Sequence, residues 1–339
     1  MGSKKEREQK KTSKQPAIPP AKKVVNAQIS AVKASKTPIY TIFYIVAIVL
    51  ALVFVFNWII NACYTSAAMN SDPSLSDNQQ LLMQKVQELI EKSAAYPVLQ
   101  RITLSGSILL SLIFFFSKAE KSELKVLGLF NKQRLAANVG IGLITGFLAI
   151  LVIYNVLLVF KCVKFTGEFR YDPIQFLWLA EIILCVMSEE LFFRCYLKYK
   201  LSSLKPIYMY AISTVLFVLY KGLPSPMPST YVTYAIMHIF LMFMYVKLES
   251  PWFGVSFRFM WLFISGLVIS IYSPAVPGIF KSDLLAENFF AGSKAGFESG
   301  LLAGIVLLLA FAAVKFITEG RLKPGEKYVR KLQKDGTIR

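Results

Sequence analysis

Histidine is almost missing from this chain: 339 residues contain one, His238. A site built on two imidazoles is therefore excluded, and chemistry that activates water or holds a metal would need other groups. Cysteine is nearly as scarce. Cys63, Cys162, Cys185 and Cys195 form no Cys-x-x-Cys or other zinc-type spacing and read as small buried apolar residues, so no metal ligands are assigned. Polar interruptions of the apolar runs are also few. Hydrophobic residues make up 55% of the chain and its mean hydropathy is +0.52, which excludes an ordinary soluble domain. There is no nucleic-acid readout motif, no internal repeat and no interrupted pair of helices of the transporter kind. Nor does the head read as a secretory signal. Its basic region extends to Lys36 and the apolar run behind it is too long, so the first span is read as retained.

What is present is hydrocarbon in helix-length pieces. The apolar runs are continuous rather than alternating, and about twenty such residues cross about 30 Å of lipid. The predicted fold is an all-α, polytopic membrane helix bundle of about eight transmembrane helices, at 39–62, 101–117, 139–161, 175–197, 206–221, 231–247, 252–273 and 300–318. The net charge of +18 is concentrated at the ends. Residues 1–36 hold ten Lys/Arg against two Glu, and residues 315–339 hold eight Lys/Arg against three acids. The 118–138 loop and the 195–205 stretch are basic too, which places both termini in the cytoplasm by the positive-inside rule. The partner of that charge is the lipid bilayer, and no nucleic acid is expected. The predicted organisation is a basic tail (1–36), two spans with an outer amphipathic helix (37–117), a membrane core (118–275), an outer loop with the last span (276–318) and a basic tail (319–339). The amphipathic helix is signalled by a capping box at Ser76-Asp77-Asn78-Gln79, then Leu82, Val86, Leu89 and Ile90 at helical spacing.

Against this background the fourth span carries ionisable groups where they cost a few kcal/mol each. It reads Ser188-Glu189-Glu190-Leu191-Phe192-Phe193-Arg194. Glu190 and Arg194 are four residues apart and can pair along one face. Glu189 points about 100° away, with Glu181, Cys185 and Ser188 near its face, so the span has a polar stripe.

The segment resembles the signature of the CPBP family of intramembrane proteases, which includes CAAX prenyl endopeptidases and bacteriocin-processing proteins. The first family motif, Glu-Glu-x-x-x-Arg, matches Glu189, Glu190 and Arg194. The second, Phe-x-x-x-His, aligns with Phe217 and Lys221. The third, His-x-x-x-Asn after a Ser-x-Trp element, aligns with Arg258 and Leu262 after Ser250-Pro251-Trp252. The resemblance runs over roughly residues 120–275. It implies a catalytic glutamate working with two histidines and a divalent metal, an oxyanion-steadying asparagine, and a membrane-embedded or lipidated protein segment as substrate. Both motif histidines are replaced here by cations, which repel a metal and instead neutralise Glu189 or Glu181. No cofactor is therefore expected. Lys221 is alternatively read as snorkelling to the outer interface, and His238 as a satisfied interior residue or a displaced ligand.

Three functions follow as alternatives. One is a CPBP-type intramembrane endopeptidase with a degenerate site in a bacterial cytoplasmic membrane. Another is a non-catalytic scaffold holding a membrane or lipidated partner. The third is a transporter lined by Glu181, Glu189, Arg258 and His238.

Overall fold

The computed structural model describes residues 40–118, 127–129, 135–222, 227–270, 278–293 and 296–319. The two basic tails, apart from residue 319, and most of the basic 118–138 loop lie outside them. The described residues from Tyr40 to Ile317 fall within one compact unit.

A backbone in hydrocarbon must bond to itself, and each of the eight apolar segments is a helix. In chain order the elements are α1 (Thr41–Ser71), α2 (Gln79–Lys92), α3 (Ala95–Lys118), α4 (Leu135–Val159), β1 (Val163–Phe169), α5 (Ile174–Glu189 and its continuation), α6 (Pro206–Gly222), α7 (Ser229–Leu248), α8 (Trp252–Leu262 and its continuation), β2 (Phe280–Leu284) and α9 (Leu301–Glu319). Helices α1, α3, α4 and α7 are long and apolar enough to cross a membrane, and α6, α8 and α9 are shorter apolar helices. The chain is a mostly helical membrane protein.

Several expectations need correction. α1 runs on to Ser71, so its 31 residues span about 46 Å at helical rise. It packs on α3 and leaves Phe43, Leu50, Phe54 and Trp58 outward, a surface suited to acyl chains. Cys63 is on this exposed helix and is not buried. The cap of α2 is Asn78, whose side chain accepts from the Leu81 amide. Ser76 instead belongs to a preceding 3-10 turn, Pro73–Asp77. The third span ends at Val159, and the residues beyond Cys162 form β1. There, Val163 pairs with Leu284 and Phe169 with Phe280 of antiparallel β2. Nor are the helices uniform. α5 passes into a π-helical stretch at Glu190–Tyr196 and ends with Leu197–Lys200, and α8 continues as a π-helical stretch, Phe263–Val268. Such widened turns rotate the side chains that follow and recur at functional positions.

The closest approach of two helices is set by glycine. A Cβ on Gly142 would meet the Phe253 carbonyl oxygen at 2.6 Å, and one on Gly146 would meet that of Phe257 at the same distance. This small-x-x-x-small face lets the backbones of α4 and α8 touch. A Gly146→Ala substitution is expected to push the helices apart and cost about 1–3 kcal/mol, read as a lower thermal midpoint in detergent. The core around this contact joins Ile150 and Ile153 of α4 to Phe240 of α7, and to Phe257 and Trp261 of α8.

Candidate functional site

The polar stripe of α5 faces the bundle. Glu189 is fully buried, and both its carboxylate oxygens are engaged by cations from other helices. Lys221, at the end of α6, brings its Nζ to 2.9 Å from one oxygen. Arg258, on the inner face of α8, donates from Nη2 to the other at 3.2 Å. The first oxygen also accepts the Cys185 thiol at 3.3 Å, one turn back along α5. The two positions where the motif pattern calls for histidine thus converge on the first motif glutamate. Lys221 does not snorkel outward; its ammonium folds back onto Glu189, because burial of an unpaired carboxylate costs more than bending a flexible stem.

The network has a fourth member that the sequence reading missed. Glu298 accepts from Arg258 Nη1 at 3.2 Å and from Trp261 Nε1 at 2.6 Å, both on α8. Its second oxygen accepts the Tyr234 hydroxyl of α7 at 2.7 Å. Glu298 lies in the short 3-10 turn Phe297–Ser299 ahead of α9, in a segment expected to be an outer loop. Three features hold the turn inside. Phe297 packs on the Trp261 ring at 5.5 Å, Ser229 donates its hydroxyl to the Ser299 carbonyl, and Thr233 donates to that of Gly300 at 3.3 Å. Charges therefore alternate along Lys221, Glu189, Arg258 and Glu298, and no member of the series faces only its own sign. No surplus of charge marked it in sequence, because Glu181 and Glu189 already balance Lys221 and Arg258.

Glu190 and Arg194 form a separate, second pair. Arg194 Nη1 lies 3.4 Å from Glu190 Oε1, and both side chains are completely buried. Neither Glu190 oxygen and none of the three Arg194 nitrogens has a hydrogen-bond partner of good geometry among the described residues. Gly254 of α8 makes room for this carboxylate, since a Cβ there would meet it at 2.3 Å. The Arg194 guanidinium instead stacks 4.2 Å over the Phe217 ring, and that ring lies 5.1 Å from the His238 ring. His238 Nε2 is 3.1 Å from the Ser213 hydroxyl. Phe217 and His238 thus belong with Arg194, away from the cations that hold Glu189. Glu181 stands apart from both groups, lining a cleft with Cys185 and Lys221.

The donor set does not suit a divalent cation. Among the described residues no three His, Cys, Asp or Glu side chains are grouped to hold one. Where ligands would have to stand beside Glu189 there are an ammonium and a guanidinium, which repel metal ions. What the arrangement can do is bind charge against charge in a site shielded from water.

Residues 173–264 match a family model, Rce1-like, described as type II CAAX prenyl endopeptidase Rce1-like. The match covers α5 through the body of α8, including Glu189, Glu190, Arg194, Lys221 and Arg258, but not Glu298. It supports membership of the CPBP/CAAX-protease family and bears out the resemblance drawn from the motifs. No curated protein and no solved structure matches the chain.

Proposed function

We propose, from the match of residues 173–264 to the Rce1-like family model, a relative of these endopeptidases whose hydrolytic site has become an ion-pair clamp. It holds a membrane-embedded or lipidated protein segment without cutting it. The carrying observation is the pair of contacts at Glu189, 2.9 Å to Lys221 and 3.2 Å to Arg258. A general base needs an oxygen within hydrogen-bond reach of the attacking water and of the proton it takes. Here those oxygens already accept from two cations and a thiol, and the single imidazole is held by Ser213. Retained binding with lost water activation fits this geometry better than proteolysis or ion-coupled transport. No divalent metal is needed for such a role.

The proposed setting is the cytoplasmic membrane of a bacterium, crossed eight times. α5, α6, α8 and α9 then act as spans beside the four long helices, and the basic tails face the anionic inner leaflet.

The test uses a membrane-presented reporter ending in a prenylated Cys-aliphatic-aliphatic-X sequence. Wild-type protein is expected to photocrosslink the reporter and leave it intact, with or without chelator. The Glu189→Gln/Lys221→Met double variant, which removes one charge of each sign, is expected to leave the reporter equally intact but to crosslink less of it. Cleavage by the wild type that disappears in the double variant would overturn the reading and restore a Glu189-dependent endopeptidase.

A further inference from the structure

Beside the clamp is a cleft of about 270 Å³ that the ion network does not fill, lined by Arg101 of α3, Trp178 and Glu181 of α5, Lys221 and Tyr220 of α6, and Leu262 of α8. Glu181 is only 5% exposed and has no hydrogen bond or ion pair with any described residue. Arg101 and Lys221 act on it only from across the cleft, and a buried carboxylate with no donor in contact is costly; what offsets the cost is a hydrogen-bond donor carrying positive charge. The nearby Lys221 ammonium is already committed to Glu189. Arg101 is the complement: an exposed guanidinium with no ion pair among the described residues.

Depth narrows the ligand. Trp178 lies within the first two turns of α5 and Glu181 just beyond them, Arg101 within the first two of α3, and Tyr220 and Lys221 in the last turn of α6. All sit toward the ends of apolar helices that face outward in the eight-span arrangement proposed above, the side on which Trp, Tyr and phospholipid headgroups would meet them. A group that fits must therefore present an ammonium inward and an anion outward, a few ångströms apart, and continue into hydrocarbon. We propose that the cleft binds the headgroup of an aminophospholipid, its ammonium donating to Glu181 and its phosphate resting on Arg101. A choline headgroup has no N–H to donate to Glu181, and a glycerol headgroup has no cation, so the site selects primary amines. This goes beyond the clamp reading and does not depend on whether proteolysis is lost. It does place the lipid next to Lys221 and Cys185, the two groups on one oxygen of Glu189.

The experiment measures thermal unfolding of the full-length, delipidated protein in detergent. Phosphatidylethanolamine, phosphatidylcholine and phosphatidylglycerol of matched acyl chains are added separately, and soluble O-phosphoethanolamine is added alone or as a competitor. Phosphatidylethanolamine is expected to raise the midpoint above the other two lipids. Soluble phosphoethanolamine is expected to compete away that rise. Glu181→Gln and Arg101→Gln are each expected to weaken the ethanolamine response about tenfold in the lipid concentration required. Equal stabilisation by the ethanolamine and choline lipids overturns the proposal, as does an ethanolamine preference unchanged in both variants. Stabilisation by soluble phosphoethanolamine with no lipid response also overturns it, by assigning the cleft to a water-soluble zwitterion. If Glu181→Gln does not fold, Arg101→Gln, at an exposed position, decides alone.

Discussion

Glu189→Gln is expected to destabilise the protein by about 3–5 kcal/mol, and Lys221→Met added to it to recover most of that loss. The figure is the cost of stranding a buried charge when its partner is removed. Among the described residues Glu189 is the only carboxylate in salt-bridge contact with Lys221 and one of two in contact with Arg258. Without it, the Lys221 ammonium is left where it is only 20% exposed, while Arg258 keeps Glu298. The uncompensated charge in the single variant is therefore chiefly lysine, and methionine of similar length removes it while still filling the volume. Arg258→Met is expected to be worse than the double variant, because it breaks two contacts and leaves Glu298 facing only Trp261 and Tyr234. Stability can be followed by thiol labelling on heating, in a Cys63→Ser background that removes the exposed cysteine and leaves the buried Cys162, Cys185 and Cys195 to report unfolding. Equal midpoints for wild type and Glu189→Gln would mean that the clamp contributes nothing to the fold, and the carboxylate would then have to be explained by chemistry.

The same residues indicate what could be read from sequence. Every apolar run of about twenty residues became a helix, because hydrocarbon leaves the backbone few other ways to bond. The meeting of Glu189 with Lys221 and Arg258 was legible from motif spacing, which fixes positions on three helices even after residue types have changed. Glu298 was not legible by that route: it lies 40 residues beyond Arg258, in a segment with neither periodicity nor motif. The π-helical stretch at Glu190–Tyr196 leaves no mark in the sequence, since a run rich in large apolar residues fits either winding. The strand Val163–Phe169 was absorbed into a loop because its alternation is short and broken by Gly167, which takes a positive φ of 73°. His238 shows the opposite hazard. A lone histidine invites a ligand role, yet its neighbours are Ser213 and Phe217.

The neighbouring Glu190 should likewise be costly to remove alone and cheap to remove with its partner. Glu190→Leu and Arg194→Met are each expected to cost about 3–5 kcal/mol alone, whereas the double replacement should return to within about 1 kcal/mol of wild type or exceed it. The pair is fully buried, its contact is a long 3.4 Å, and its remaining polar atoms lack partners among the described residues. An ion pair of that quality recovers little of its desolvation cost, so well-packed apolar side chains of similar volume serve as well. Leucine at position 190 also relieves the close approach at Gly254, and methionine at 194 keeps contact with the Phe217 ring through its thioether. In the Glu189 network the matching tolerance extends to Lys221 but not to Arg258, which also holds Glu298. A Glu190→Leu/Arg194→Met protein as unstable as the two single variants combined would mean that the pair has a partner the chain does not supply. Unpaired oxygens and nitrogens facing a bound segment would then make Glu190 and Arg194, rather than Glu189, the groups that grip it.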